Sequence, residues 1–346
     1  MPHGVGIIGA GPGVSALHLP TLSRLDSTFH VVHIADAGSG RAAELADRTG
    51  ARSSAGITEL LADESVAVVA ICSPPAEHAA QILASVAAGK RAILCEKPLA
   101  TTAADAEVVI DACRAAGTAL LVGTNHLYDP AWMRAKHHLL AGAHVVRAIS
   151  VTLALPPNGR YHDVVTELVA PAAAPGRSGP PLHVPQVAAS VVHRLLTGLA
   201  VHDLPMVRDL APEIEEVMFA RAVAPLGYVL GYRASGIPVR LATVMLQDGA
   251  DAVWRLDITT DTDRLHVSFP PAFVHVGSAS VRVTAGSGTA TTYPLAPDDG
   301  YLAEWRALAD VLDGTAVVEY DELLDDARYA VALADAAAAL ILESAA

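Results

Sequence analysis

Lysine is nearly missing from this 346-residue chain, which carries only Lys90, Lys97 and Lys136. With 23 Lys and Arg against 37 Asp and Glu, the formal charge is −14. That balance excludes a nucleic acid or an anionic membrane surface as partner, because both need a basic face. Cysteine is equally scarce. Cys72, Cys95 and Cys113 lie in or beside apolar runs and form no CxxC pair, so they read as buried, reduced thiols without chemistry. No uncharged apolar run approaches the roughly 20 residues that span a bilayer. The opening "MPHGVGIIGAG" also lacks the charged and long apolar regions of a secretory leader, so a cytoplasmic protein is expected. Fifteen histidines are scattered, and the adjacent His137 and His138 diverge on a helix, so no metal ligand set is expected. No GxSxG nucleophile motif precedes a helix.

What is present is a composition of 52% hydrophobic and 17% charged residues, suited to a folded protein long enough for two domains. The first 125 residues alternate between short β-rich runs and helical patterns. Strands are expected at Val5 to Ile8, Phe29 to Asp36, Ala67 to Cys72, Ala92 to Cys95 and Ala119 to Val122. Between them, stretches such as "AEHAAQILASVAAG" repeat apolar residues every three or four positions and end in glycine. Continuous apolar strands joined by helices imply a parallel sheet covered on both faces.

After Asn125 the texture changes. A helix near Pro130 to Leu140 leads into the strand "VVRAISVTLALP". A proline- and glycine-rich stretch, Pro156 to Pro185, then reads as an apolar loop or lid. "LAVHDLPMVRDL" reads as one helix, and six further strands suit a large, open, mostly antiparallel sheet. Two helices close the chain. The expected division is 1–124 and 125–346, leaving open whether the closing helices pack back on the first domain.

"GAGPGVSALHLP" follows the first strand and precedes a helix. Gly9, Gly11 and Gly13, with Pro12 between them, would let backbone approach a pyrophosphate at a helix N-terminus. Val14 stands where the third glycine of such a loop usually falls. Asp36 ends strand two, where a carboxylate accepts ribose hydroxyls and repels a 2′-phosphate; this favours NAD, although Ser39 and Arg41 nearby could accommodate NADP. "CEKPL" delivers Glu96, Lys97 and Pro98 to the carboxyl edge of the sheet, where such folds place ligands.

With these pieces, and with "AICSPPAEHAAQILASVAAGKRAILCEKPLA", "LLVGTNHLYDPAW" and the closing "YDELLDDARYAVALADAAAALILESA", the chain resembles the glucose-fructose oxidoreductase / inositol dehydrogenase / MocA (Gfo/Idh/MocA) family. The resemblance covers the N-terminal half and roughly the last 45 residues. It implies a Rossmann domain followed by an α+β domain, with Lys97 beside the nicotinamide and the substrate carbinol. A cation there stabilises charge developing on oxygen. Ser73, Pro74, His78, Glu96 and Asn125 would line the cofactor side, and Tyr128 would reach the substrate. The family's catalytic helix usually carries Asp four residues before His; here His202 is present but the earlier position is Gly198. His193, Asp203, Asp163 and Tyr161 are candidates to replace the lost group.

The expected activity is hydride transfer between NAD(P) and a secondary alcohol or ketone of a sugar, cyclitol or glycosylated natural product, in a homodimer or homotetramer built through the C-terminal sheet. Two alternatives stay open. One is a redox-neutral enzyme with tightly held NAD; the other is a noncatalytic NAD-sensing protein, which the Gly198 replacement allows.

Overall fold

The computed structural model describes residues 2–157, 160–161, 179–246 and 251–345. The described residues of 1–124 and 301–328 form one compact unit, and those of 125–300 and 329–345 a second. No helix among the described residues is long and apolar enough to cross a membrane.

The first unit is built on six parallel strands: β1 (His3–Ile8), β2 (Phe29–Asp36), β3 (Arg52–Ala55), β4 (Val68–Ile71), β5 (Ala92–Cys95) and β6 (Ala119–Val122). They lie in the order β3-β2-β1-β4-β5-β6. Every residue of β4, β5 and β6 is buried, as strands covered on both faces require. The helices are α1 (Leu19–Ser23), α2 (Arg41–Thr49), α3 (Thr58–Ala62), α4 (Pro75–Ala87) and α5 (Ala103–Ala116). Start and stop signals explain α5: Thr102 Oγ1 accepts from the Asp105 N–H at 3.1 Å, and Gly117 closes the helix at φ 68°. Strand β3 has no apolar pattern, since "RSSA" is almost wholly exposed. It exists because the edge of β2 offers it a register, His33 opposite Arg52 through Asp36 opposite Ala55.

The second unit opens with α6 (Asn125–Tyr128) and α7 (Pro130–Ala141), followed by β7 (Val146–Leu155), α8 (Pro185–Gly198) and α9 (Leu204–Leu210). Seven more strands follow: β8 (Ile214–Ala222), β9 (Gly227–Ala234), β10 (Ile237–Met245), β11 (Val253–Thr260), β12 (Asp263–Ser268), β13 (Ser280–Ala285) and β14 (Ala290–Thr292). The eight-stranded sheet runs β14-β13-β12-β11-β7-β10-β9-β8. Only β7 and β10 pair in parallel, so the sheet is mixed and mostly antiparallel. Alternation builds its core: Ile149, Val151, Leu153 and Leu155 of β7 face inward and join Trp132, Leu196 and Leu333 in one apolar cluster. The chain closes with α10 (Gly300–Leu312) and α11 (Tyr320–Glu343).

"LAVHDLPMVRDL" is not one helix. Ala200–His202 form a 3-10 turn, and α9 starts afresh with Pro205 near its beginning, because proline is tolerated in a first turn and not in a helix interior. Most of the expected lid, including Asp163, lies outside the described residues.

Candidate active site

Strand order places β1 and β4 side by side at the centre of the parallel sheet, and their carboxyl ends open onto a cleft of about 750 Å³. Gly9, Gly11, Asp36, Arg41, Ser73 and Pro74 are among its walls. Gly9 is required by geometry. Its φ is +109°, and a Cβ would lie 2.5 Å from the Cys72 carbonyl oxygen. Its N–H donates to the Ala35 oxygen at 2.7 Å, holding the loop against β2.

Gly11 and Gly13 do a different job: nothing lies within 4 Å of where their Cβ atoms would be. They present bare backbone to open space, the room a pyrophosphate needs and a side chain would fill. Val14, fully buried, begins a π-turn over Val14–His18 that runs into α1. The bulkier residue at the third-glycine position is therefore taken inward, and the helix opens with a widened turn.

The Asp36 carboxylate accepts from Gly38 N (2.7 Å), Ser39 N (3.2 Å), Ala42 N (3.3 Å) and the Ser39 hydroxyl. Burial works against its ionisation, but the Ser39, Gly38 and Ala42 donors outweigh it and hold the carboxyl below its ordinary range. An anion thus stands at the end of β2. Arg41 stands beside it, its backbone N–H on Ser39 Oγ at 3.3 Å.

Lys97 follows β5, next in the sheet to β4. The Glu96 N–H donates to the Ile71 oxygen at 2.8 Å, and the Lys97–Pro98 peptide is cis. His78, on α4 and fully buried, lies between the Pro98 carbonyl (Nδ1, 2.7 Å) and the Ser73 carbonyl (Nε2, 2.9 Å). It thereby ties the segment after Lys97 to a residue of the cleft wall. Ser73 Oγ turns to Gln81 at 2.6 Å.

Glu96 is held on two sides. His18 Nε2 donates to its Oε1 at 2.9 Å, and the Lys97 N–H donates to its Oε2 at 3.2 Å. His18 Nδ1 accepts from Trp305 Nε1 at 3.3 Å, which assigns the imidazole proton to Nε2. Burial opposes ionisation of Glu96, yet the His18 hydrogen bond and the Lys97 charge bring its pKa below the usual value. Burial pushes the half-buried Lys97 ammonium down from the ordinary lysine value while Glu96 pulls the other way. Sequence reasoning missed His18; its only signal was a histidine five residues beyond Gly13, where the first helix turns inward.

In the second unit, His202 Nδ1 lies 2.8 Å from Asn125 Oδ1. An amide oxygen can only accept, so Nδ1 carries the proton and Nε2 becomes the exchanging nitrogen. Gly198 is the last residue of α8 and His202 sits in the separate 3-10 turn, so the expected helical spacing of four does not apply here. The buried Asn125 supplies the orienting oxygen instead.

Asp203 is fully buried. It accepts from Trp254 Nε1 at 2.9 Å and pairs with His126 Nδ1 at 3.0 Å. His126 stacks on Phe269 at 3.8 Å, and Trp254 meets the His202 ring edge-on at 5.2 Å. Asp203 thus orders an aromatic wall around His202. The other expected substrate contacts are spread out. His193 pairs with Asp335 at 3.1 Å, Tyr161 bonds Asp251 and accepts from Ala252 N at 3.1 Å, and Tyr128 is half-buried at the end of α6.

Comparison with known proteins gives the same outline. Residues 3–124 match the model of the oxidoreductase family with an NAD-binding Rossmann fold. Inositol 2-dehydrogenase 2 of Saccharopolyspora erythraea is 32% identical over 227 residues, covering 65% of this chain and 58% of that protein. Inositol 2-dehydrogenase of Acidothermus cellulolyticus is 36% identical over 141 residues, 40% of this chain and 41% of its own length. The chain thus spans about half the length of the curated relatives it matches. Among solved structures, KijD10, a 3-ketoreductase from Actinomadura kijaniata in complex with NADP, aligns at a TM-score of 0.74 and 22% identity over 98% of each chain. At that identity the likeness speaks for the fold. Over residues 3–124 the chain is thus similar to the nucleotide-binding part of the Gfo/Idh/MocA family of oxidoreductases.

Proposed function

We propose that this protein is an NAD-dependent dehydrogenase or reductase acting on a secondary alcohol or ketone of a sugar, cyclitol or glycosylated natural product. The observation that carries the reading is Lys97, one of three lysines, half-buried after β5 and tied through His78 to the wall of a cleft floored by bare glycine backbone. A nicotinamide dinucleotide held there would supply the hydride acceptor or donor. Gly11 and Gly13 would present N–H groups and space to its pyrophosphate. Asp36 would accept the adenosine ribose hydroxyls and repel a 2′-phosphate, which favours NAD over NADP.

Lys97 donates to the carbinol oxygen and stabilises negative charge on it. Burial lowers its pKa, which makes the ammonium a stronger hydrogen-bond donor to that oxygen. His202 of the second unit, its Nδ1 proton committed to Asn125, is proposed as a proton relay through Nε2. Asn125 is neutral, so it orients the ring but stabilises an imidazolium less than the family's aspartate would. Ala154, Ala242 and Val244 lie half-buried on the outward side of the large sheet, where Phe219 covers Gly231. A second copy packing on that face would form the expected homo-oligomer. We assign the protein to the cytoplasm, where Cys72, Cys95 and Cys113, all free thiols, stay reduced.

The test is NADH absorbance at 340 nm over a panel of myo-inositol, free hexoses and nucleotide-linked hexoses. Wild type should turn over at least one of them. Lys97→Ala should lose on the order of 10² to 10³ in kcat, the scale for one oxyanion donor, and His202→Ala on the order of 10² to 10⁴. Unchanged turnover in Lys97→Ala, or no turnover of any of these by wild type, rejects the reading.

A further inference from the structure

A second group of side chains converges in the second unit, and the proposed hydride transfer makes no use of it. His138 lies in the last turn of α7, His144 in the turn that follows, and Asp263 opens β12. His138 Nε2 is 2.8 Å from Asp263 Oδ2, and His144 Nε2 is 3.5 Å from the same oxygen. One ligand atom from each of the three lies within 4.8 Å of the others. One carboxylate oxygen therefore faces two imidazole nitrogens, and only the first is at good hydrogen-bonding length.

The arrangement is built rather than incidental. The His144 ring folds back over Gly142, where a Cβ would fall 2.0 Å from Nε2. Its other nitrogen, Nδ1, is 2.8 Å from Thr262 Oγ1, the outer hydrogen bond that orients a ligating imidazole. The His138 and His144 rings lie 14° from parallel with centroids 4.9 Å apart, so both edges are brought to one place. The three side chains are 23%, 15% and 10% exposed, low enough to favour a fixed geometry and open enough to admit an ion from solvent.

From this geometry we infer that His138, His144 and Asp263 bind one divalent first-row transition metal, best fitted by Zn²⁺. Two imidazoles and a carboxylate without thiolate suit zinc, whereas Ca²⁺ and Mg²⁺ demand mainly oxygen ligands. Zinc bonds of about 2.0 to 2.2 Å in a tetrahedron set ligand atoms roughly 3.3 to 3.5 Å apart. The observed 2.8 and 3.5 Å approach that spacing, and His138 needs only a small retreat. Binding releases the proton that His138 shares with Asp263 to solvent, and water completes the shell. The ion would clip the end of α7 and its following turn to β12.

The experiment is zinc titration of the chelator-stripped full chain by calorimetry, with thermal melts of each variant in chelator to report folding. Wild type should take up one ion per chain. His144→Ala and Asp263→Asn should each weaken binding on the order of 10²-fold. Gly142→Ala, which keeps all three ligands but displaces the His144 ring, should weaken it by roughly 10-fold or more, the scale of lost outer-shell support. His137→Ala, on the same helix but outside the cluster, should leave affinity unchanged. No uptake by wild type, wild-type affinity in Asp263→Asn, or equal loss in His137→Ala would each overturn the site and leave a hydrogen-bonded clasp in its place.

Discussion

Lys97 shows how far a single residue can be read. Its scarcity and its place after an apolar run mark it in the sequence, but the groups that hold it come from elsewhere in the chain. His18 and His78 reach it through Glu96 and Pro98, and no local pattern announces a contact across 78 positions. Glu96 gives a pH test. Its folded pKa is lowered, so its stabilising contribution is present above the unfolded carboxyl value of about 4.3 and is lost as pH falls through the folded value. Urea denaturation of wild type and Glu96→Gln should therefore differ most near neutral pH and converge in acid; a constant difference would show that ionisation of Glu96 is not involved. In the proposed reaction Asp36 would set the choice of cofactor. With its carboxylate removed, Asp36→Ser should narrow the NAD over NADP preference in kcat/KM by at least about 10-fold, the equivalent of roughly 1.4 kcal/mol. Unchanged preference would shift discrimination to Arg41 and Ser39.

At the scale of elements, regular periodicity was legible and its exceptions were not. The buried strands β4, β5 and β6 and the long helices α4, α5 and α11 stand where apolar spacing predicts them. Polar β3 was invisible because its pairing, not its side chains, makes it a strand. The segment around His202 reads as one helix by composition, yet breaks into a 3-10 turn and α9, with Pro205 in the first turn of the new helix. That break removes the logic of a partner four residues earlier and explains why Asn125, 77 positions away, takes the orienting role. The nucleotide loop is the most decisive element. Gly9→Ala must place a side chain at φ +109° and against the Cys72 carbonyl, at a cost of about 1 to 3 kcal/mol from backbone strain alone. Denaturant unfolding should show at least that loss, and a change under about 0.5 kcal/mol, ordinary for a surface site, would mean the loop does not hold this conformation.

For the whole molecule, the parallel and mixed sheets and the likeness to the oxidoreductase family were readable from pattern and motif together, because each of those levels points to the same fold. The substrate is not written in the same way. Side chains such as Asn125, His202 and Trp254 come together only through the fold, and most of the expected lid lies outside the described residues. The claim on which the proposed chemistry rests is that the glycine-floored cleft holds a nicotinamide dinucleotide. Direct titration with NADH, followed by fluorescence, tests it without needing the substrate. Wild type should bind saturably, while Gly11→Phe, which fills the open space above that backbone, should lose on the order of 10²-fold or more in affinity and keep its unliganded melting temperature. Failure of wild type to bind NADH, or equal affinity in the filled variant, would contradict the account.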